Sequence, residues 1–375
     1  MIYTSDKLLV LGKRLNNSIR PYLLIDPLQA KHIPVSPSAA LDMMSALGMR
    51  VKKSAPGARL VIGFAETATA IGAAVAECLS KRCSFLCTTR EPVPSVKSWV
   101  DFREEHSHAA EQKLAADHLD ELFSSTDTIV FVDDELSTGK TLVNMTAQLL
   151  RQFPAVRNKH FIIASVINRL TDENIARLES FGIKCVSLLK IPNEDYSSAI
   201  TAQEVRAAEE APAARGDFSQ ICSYSFPDPR TGVVIGDYCS ALLSIAEDFA
   251  RSAVLTGKKI AVIGTEEAML PALILGRTLE KQDASREVKC HSTTRSPIGI
   301  SSRKGYPIFS GYSLTSFYDS SRRTFLYNIA QYDTVIIITD SAVETSAAGE
   351  LCAVFSQSGC RDIRLITGGK NVQHL

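Results

Sequence analysis

Residues 128–144 read TIVFVDDELSTGKTLVN, and the order of residue types in that stretch decides how the chain is read. Thr128 to Val132 favour β structure and predict a strand. Two carboxylates, Asp133 and Asp134, follow at once, with Glu135 behind them, and the turn Ser137-Thr138-Gly139-Lys140-Thr141 then opens an apolar helix. Paired carboxylates at a strand end can accept hydrogen bonds from a vicinal diol. Amides at the following helix start, with the hydroxyls of Ser137, Thr138 and Thr141, can hold a phosphate. A sugar phosphate fits between them. A nucleotide-hydrolysing P-loop does not fit, because GxxxxGK[ST] needs glycine where Asp134 stands.

Length and composition set the frame. A chain of 375 residues is long for one domain and sufficient for two, each with its own core. Its 41 basic and 41 acidic residues cancel, and no basic run with interleaved aromatics occurs, so nucleic acid is not the expected partner. Nine cysteines without a CxxC pair make neither a disulfide framework nor a zinc site; Cys83 and Cys87 flank a predicted strand and read as reduced core thiols. The N-terminus lacks an export-type apolar segment, and no stretch of ~18 apolar residues occurs, which predicts a soluble, cytoplasmic protein with no membrane partner.

The same layout occurs twice. Strands are predicted at 59–64, 83–88, 128–132, 160–166 and 184–189, and again at 259–264, 287–292, 334–338 and 362–366, alternating with helices. Near-continuous apolar runs of this kind imply parallel sheets covered on both faces. VIGFAETATAIG (61–72) faces VIGTEEAMLPAL (262–273), CTTREPVP (87–94) faces STTRSPIG (292–299), and DTIVFVDD (127–134) faces DTVIIITD (333–340). Two copies in register indicate duplicated α/β domains rather than a solenoid. The copies differ chemically: Asp133, Asp134 and Gly139 become Thr339, Asp340 and Thr345, so the second is expected to be degenerate. The boundaries read as a first domain over 1–205, a linker over 206–225 and a second domain over 226–375, the Ala-rich, charged linker being helical or flexible.

Other segments carry candidate chemistry. After the first core strand, Gly63 permits close backbone approach, while Thr67 and Thr69 bring hydroxyls to a helix start and Glu66 adds an acid; the competing reading is a capped helix on a glycine turn. Thr89 and Arg90 end the next strand, Arg90 with bidentate phosphate geometry. The polar segment 97–112 contributes Lys97, Arg103, His106 and His108; histidines two apart do not share a helix face, so a solvated helix start is expected there before a metal cage. Lys31 and His32, beside Pro34 and Pro37, offer a contact surface or a plain surface loop. In the second copy, Thr265 and Glu266 lie in a turn into a helix, and Thr294, Arg295 and Ser296 follow a strand; these bind an anion, form a separate catalytic site, or keep an ancestor's shape.

The strand, acid pair and Thr-Gly-x-Thr loop resemble the 5-phosphoribosyl-1-diphosphate (PRPP) loop of type I phosphoribosyltransferases. That resemblance implies two Rossmann-like type I domains, the second degenerate. Asp133 and Asp134 would hold the ribose hydroxyls and Ser137 to Thr141 the 5-phosphate. The turn at Gly63 to Thr69 with Thr89 and Arg90 would meet pyrophosphate, with Glu66 near Mg²⁺. Residues 97–112 would form the lid, and Lys31 and His32 an acceptor-binding hood. Hypoxanthine-type members place a basic carboxylate where this chain has Ser137, which leaves Glu135 as the candidate base. The strings GFAETATA, TTRE, EEHSHA, VDDELSTGKT and KHIPV, with TTRSP and FLYN further on, narrow the resemblance. They are similar to a bacterial family found with tellurite-resistance and stress genes, which pairs a phosphoribosyltransferase domain with a C-terminal domain named after Thr-Arg-Ser-Pro. Ala30 departs from that family's glycine. The resemblance implies Mg²⁺-dependent phosphoribosyl transfer from PRPP to a small nitrogen acceptor, or its reverse, by a homodimer; the alternative is a PRPP- or nucleotide-binding regulatory module without turnover.

Overall fold

The computed structural model describes residues 2–102, 112–212, 216–341 and 345–368. The chain begins with α1 (Ser5–Leu8) and an antiparallel pair, β1 (Val10–Lys13) and β2 (Tyr22–Ile25), followed by α2 (Pro37–Ser54). An alternating series follows: β3 (Leu60–Gly63), α3 (Ala68–Leu79), β4 (Ser84–Cys87), the hairpin strands β5 (Trp99–Phe102) and β6 (Gln112–Ala115), then α4 (Leu119–Ser124) and β7 (Thr128–Leu136). It continues through α5 (Lys140–Gln152), β8 (His160–Asn168), α6 (Asp172–Ser180) and β9 (Ile183–Lys190). Next come α7 (Ser197–Thr201), β10 (Glu209–Glu210), β11 (Ser219–Tyr224), β12 (Val233–Val234) and α8 (Ile235–Ser252). The second series is β13 (Lys259–Gly264), α9 (Leu270–Gln282), β14 (Glu287–Ser292), hairpin strands β15 (Gly311–Thr315) and β16 (Arg323–Tyr327), β17 (Thr334–Thr339), α10 (Thr345–Gln357) and β18 (Asp362–Gly368).

Two compact units result. Unit 1 contains Asp42–Asn193 and Pro227–Ser240; unit 2 contains Ile2–Leu41, Glu194–Phe226 and Ala241–Leu375. The sheet of unit 1 has the order β12-β4-β3-β7-β8-β9, parallel except for the antiparallel edge strand β12. Counting core strands by sequence, that order is 2-1-3-4-5, so the chain changes direction across the sheet between β3 and β7, where α/β folds of this kind form a ligand crevice. Unit 2 has the all-parallel order β11-β18-β17-β13-β14, with the equivalent change between β13 and β17.

The apolar runs behave as buried parallel strands must. Leu60, Val61, Ile62 and the stretch Ile129 to Val132 are fully buried, and Phe131 stacks on Phe161 with centroids 5.9 Å apart. Each such side chain contributes about 2 kcal/mol on leaving water. In unit 2, Ile263, Val335, Ile337 and Leu365 join Leu351, Val354 and Phe355 of α10 in one core. Eight cysteines, Cys222 aside, are free thiols; burial pushes Cys83 up to about 12 and Cys290 well above the usual thiol range, so both are inert in the core.

Every strand expected from the apolar pattern is present, but three expectations change. The 206–225 segment is not a helical or flexible connector, because β10 pairs in parallel with β15 and β11 with β18. The described ends of the 97–112 segment are strand: Trp99–Phe102 and Gln112–Ala115 pair antiparallel, with Val100 and Phe102 buried on one face as period-two alternation requires, while the helix start expected around His106 lies outside the described residues. Residues 2–41, placed in the first domain by sequence, group with unit 2; Leu23 and Ile25 pack with Ile298, Ile300, Ile308 and Tyr327. Ala30 in this segment has φ +57°, the left-handed region in which glycine carries no Cβ penalty.

Candidate active site

In unit 1 three segments leave neighbouring strand ends on the same sheet edge. Thr88–Arg90 follow β4, Phe64–Thr69 follow β3, and β7 carries the acids into Ser137–Thr141. Backbone bonds lock them together: the Phe64 amide donates to Val132 O (2.9 Å), and the Thr88 amide to Gly63 O (2.9 Å). The strand does not stop before the acids. β7 continues to Leu136, pairing Asp133 with Ser165 and Glu135 with Ile167, so the carboxylates sit on a rigid ladder rather than a loop.

Asp133 and Asp134 are half-buried and adjacent, and the Asp134 amide donates to Asp133 Oδ1 at 2.9 Å. Burial first, and then the neighbouring Asp134 charge, push the Asp133 carboxyl well above the usual carboxylate range. Such a pair suits a diol or a cation. Glu135 is held by Arg169, whose Nη1 lies 3.4 Å from Glu135 Oε1 with both side chains nearly buried. Arg169 follows β8 and was not legible as a partner, since nothing in the local sequence links it to Glu135.

The turn behind the acids has the form an anion cradle needs. Gly139 sits at the N-cap of α5 with φ +70°, and a Cβ there would meet Leu178 Cδ1 at 3.2 Å. Ser137 and Thr141 are half-buried and Thr138 and Lys140 exposed, and the Lys140 amide donates to Thr138 Oγ1 at 3.4 Å, so the turn is reachable from solvent. The second turn is equally constrained. A Cβ on Gly63 would lie 2.8 Å from Ala68 O, which explains the glycine. Thr67 precedes α3 without a side-chain cap bond, Thr69 Oγ1 donates to Glu66 O (3.3 Å), and Glu66 is buried. Thr88, missed as a site residue, fixes this turn: its Oγ1 accepts from the Ala65 amide (2.9 Å) and donates to Gln112 Oε1 (2.6 Å). Thr89 makes a two-way backbone bridge with Lys113, and Arg90 follows it half-buried. Lys97 is exposed, its amide bonded to Asp117 Oδ2; Arg103, His106 and His108 lie outside the described residues.

Sequence residues 8–191 match the family described as phosphoribosyl transferase, and residues 237–355 match the TRSP domain that stands C-terminal to it. The chain belongs to the phosphoribosyltransferases that carry a TRSP domain. A comparison of this transferase with curated proteins finds no match. Among solved structures it is similar to adenine phosphoribosyltransferase from Giardia lamblia complexed with 9-deazaadenine, at 15% identity over 50% of this chain and 96% of that one, TM-score 0.35. Orotate phosphoribosyltransferase from Aeropyrum pernix gives 16% identity over 50% and 90%, TM-score 0.30. A Neisseria gonorrhoeae protein with bound ppGpp gives 12% over 44% and 85%, TM-score 0.28. The family match, not these distant likenesses, carries the assignment.

In unit 2 the transferase places its remaining candidates together. Glu266, fully buried with φ +43°, accepts from Arg295 Nε (2.8 Å), Arg322 Nη2 (3.0 Å) and Ser316 Oγ (2.5 Å). Lys31 Nζ donates to Glu266 O (2.5 Å), and His32 Nε2 lies 3.4 Å from Thr294 Oγ1. Thr265 Oγ1 bonds Thr339 Oγ1 (2.7 Å) and Tyr318 OH (3.1 Å). Ser296 serves a turn, its carbonyl accepting from Tyr327 OH (2.8 Å). The hood candidates Lys31 and His32 are thus residues of unit 2. Ser316, Tyr318 and Arg322 were missed because no short motif marks the hairpin between β15 and β16.

Among the described residues, no three His, Cys, Asp or Glu side chains are grouped to hold a metal, and no helix is long and apolar enough to cross a membrane.

Proposed function

We propose that unit 1 moves a 5-phosphoribosyl group between PRPP and a small nitrogen nucleophile, in either direction, with pyrophosphate as the other product or substrate. The observation that carries this reading is the pair of constrained turns, Gly63–Thr69 and Ser137–Thr141, at adjacent strand ends beside Asp133 and Asp134. The α5 turn holds the 5-phosphate on helix-start amides and hydroxyls. Asp133 and Asp134 accept from the ribose 2- and 3-hydroxyls, and the α3 turn with Thr89 and Arg90 receives pyrophosphate.

The carboxylate pair suits Mg²⁺, which favours one or two protein carboxylates completed by substrate oxygens over an all-protein cage. When bound, Mg²⁺ neutralises charge on the departing pyrophosphate. The chain's own work is orientation: aligned groups can supply several kcal/mol of the barrier without a covalent nucleophile. The β5–β6 pair would serve to exclude water from a centre with oxocarbenium-like character. Glu135, set by Arg169, is the candidate base for the acceptor nitrogen.

The test is pyrophosphate release from PRPP, assayed against a set of nitrogen acceptors. Release should require both Mg²⁺ and an acceptor and be lost in Asp133→Asn. Ser137 in place of a loop carboxylate favours a second reading, a PRPP or nucleotide sensor. Stoichiometric binding without turnover for any acceptor would favour it.

A further inference from the structure

The chain contains an internal control for its own anion turn. In unit 1 the Ala65 amide donates to Thr88 Oγ1 (2.9 Å); in unit 2 the Glu266 amide donates to Thr293 Oγ1 (3.0 Å). The Thr88 amide bonds Gly63 O at 2.9 Å and the Thr293 amide bonds Gly264 O at 3.1 Å. Thr89 bridges Lys113 of one hairpin, and Thr294 bridges Phe325 of the other. Both strands end on a glycine crowded by the turn that follows, a Cβ on Gly63 meeting Ala68 O (2.8 Å), five residues on, and one on Gly264 meeting Ala268 O (2.6 Å), four residues on. These correspondences equate Ala65 with Glu266 and Arg90 with Arg295. At these matched positions the first turn carries alanine and the second a carboxylate.

That carboxylate has the surroundings of a bound oxyanion. Two guanidiniums and a hydroxyl converge on it, from β14's end and from the β15–β16 hairpin, and it is fully buried. Planar guanidinium forks and a hydroxyl are a donor set that suits phosphate equally well. The hairpin is tied to the same turn through Tyr318, whose hydroxyl donates to Asp340 Oδ1 (2.5 Å) and lies 3.1 Å from Thr265 O.

We propose that unit 2 retains an oxyanion subsite built like the pyrophosphate turn of unit 1, and that Glu266 fills it from within as a tethered substitute for phosphate. The arginine of the Thr-Arg-Ser-Pro motif then serves to hold this internal ligand, and the wild-type unit 2 turns free phosphate away. The subsite stands whether or not unit 1 transfers phosphoribosyl groups.

Inorganic phosphate binding by calorimetry tests it, with Arg90→Ala as the background so that unit 1's counterpart contact is weakened in every sample. Glu266→Ala in the full chain should gain a phosphate site at least tenfold tighter than any in its parent, about the effect of one charge-assisted contact. Adding Arg295→Ala should remove it. Glu266→Gln, which keeps the bulk, should not gain it. If Glu266→Ala misfolds in chloride, phosphate at matched ionic strength should restore soluble, cooperatively melting protein; failure to do so overturns the proposal. It is equally overturned if folded Glu266→Ala gains no site, or if Arg295→Ala alone removes a phosphate site from the chain with Glu266 intact.

Discussion

Asp133 shows how a side chain can be useful and unfavourable at once. Burial and the Asp134 charge raise its pKa, so the folded state prefers it protonated, and a stability cost appears as pH rises from the ordinary 3.8 through the raised value. Asp133→Asn should therefore melt above wild type at neutral pH, the difference vanishing near pH 3.8 and below, while kcat falls at least ~10²-fold. Thermal melts across pH check the first part; a constant difference at all pH values would contradict it. Gly139 is simpler. Its φ is +70° and an added Cβ would stand 3.2 Å from Leu178 Cδ1, so Gly139→Ala should cost about 1–2 kcal/mol and weaken phosphate binding. Ala30 balances three effects. Relief of its φ of +57° by glycine gains about 1–2 kcal/mol, against ~0.8 for the lost buried methyl and ~0.4–1 for unfolded-chain entropy. Ala30→Gly should stay within about 1 kcal/mol of wild type in denaturant titration, a result that a loss of several kcal/mol would exclude.

At the level of elements, the turns depend on residues outside them. Thr88 links the Ala65 amide to Gln112 of the hairpin, so Thr88→Ala removes an acceptor from a buried amide. The expected cost is about 1–3 kcal/mol, with a raised KM for PRPP or pyrophosphate, and Thr88→Ser should restore both. Equal KM values in Thr88→Ala and wild type would separate this turn from the substrate. What the sequence reveals follows the same division. Buried parallel strands are legible because they are apolar throughout, and β13 and β14 match their expected bounds. β7 runs past its apolar part because pairing with β8 carries it through the acids, a tertiary effect no local pattern shows. Short edge strands such as β10 and β11 are set by their partners rather than their composition. The Asp133–Thr141 cluster is legible because its chemistry is local. Arg169 and Thr88 are not, because each acts through a contact distant in sequence.

On the scale of the molecule, the two units are not consecutive halves of the chain. Residues 2–41 belong to unit 2 and 227–240 to unit 1, so a cut near residue 205 separates unit 2 from Leu23, Ile25 and Lys31. Residues 206–375 produced alone should expose the apolar surface of Ile298, Ile300, Ile308 and Tyr327 and lose cooperative melting; a sharp transition in that fragment would refute the partition. Central to the proposed function is a phosphorylated pentose seated between the acids of β7 and the turn before α5. Calorimetric titration of PRPP with Mg²⁺ into the full chain measures this most directly. One site per chain, lost on substituting both Asp133 and Asp134 by asparagine, is the predicted result; absence of binding heat, or heat that survives the double substitution unchanged, would contradict it.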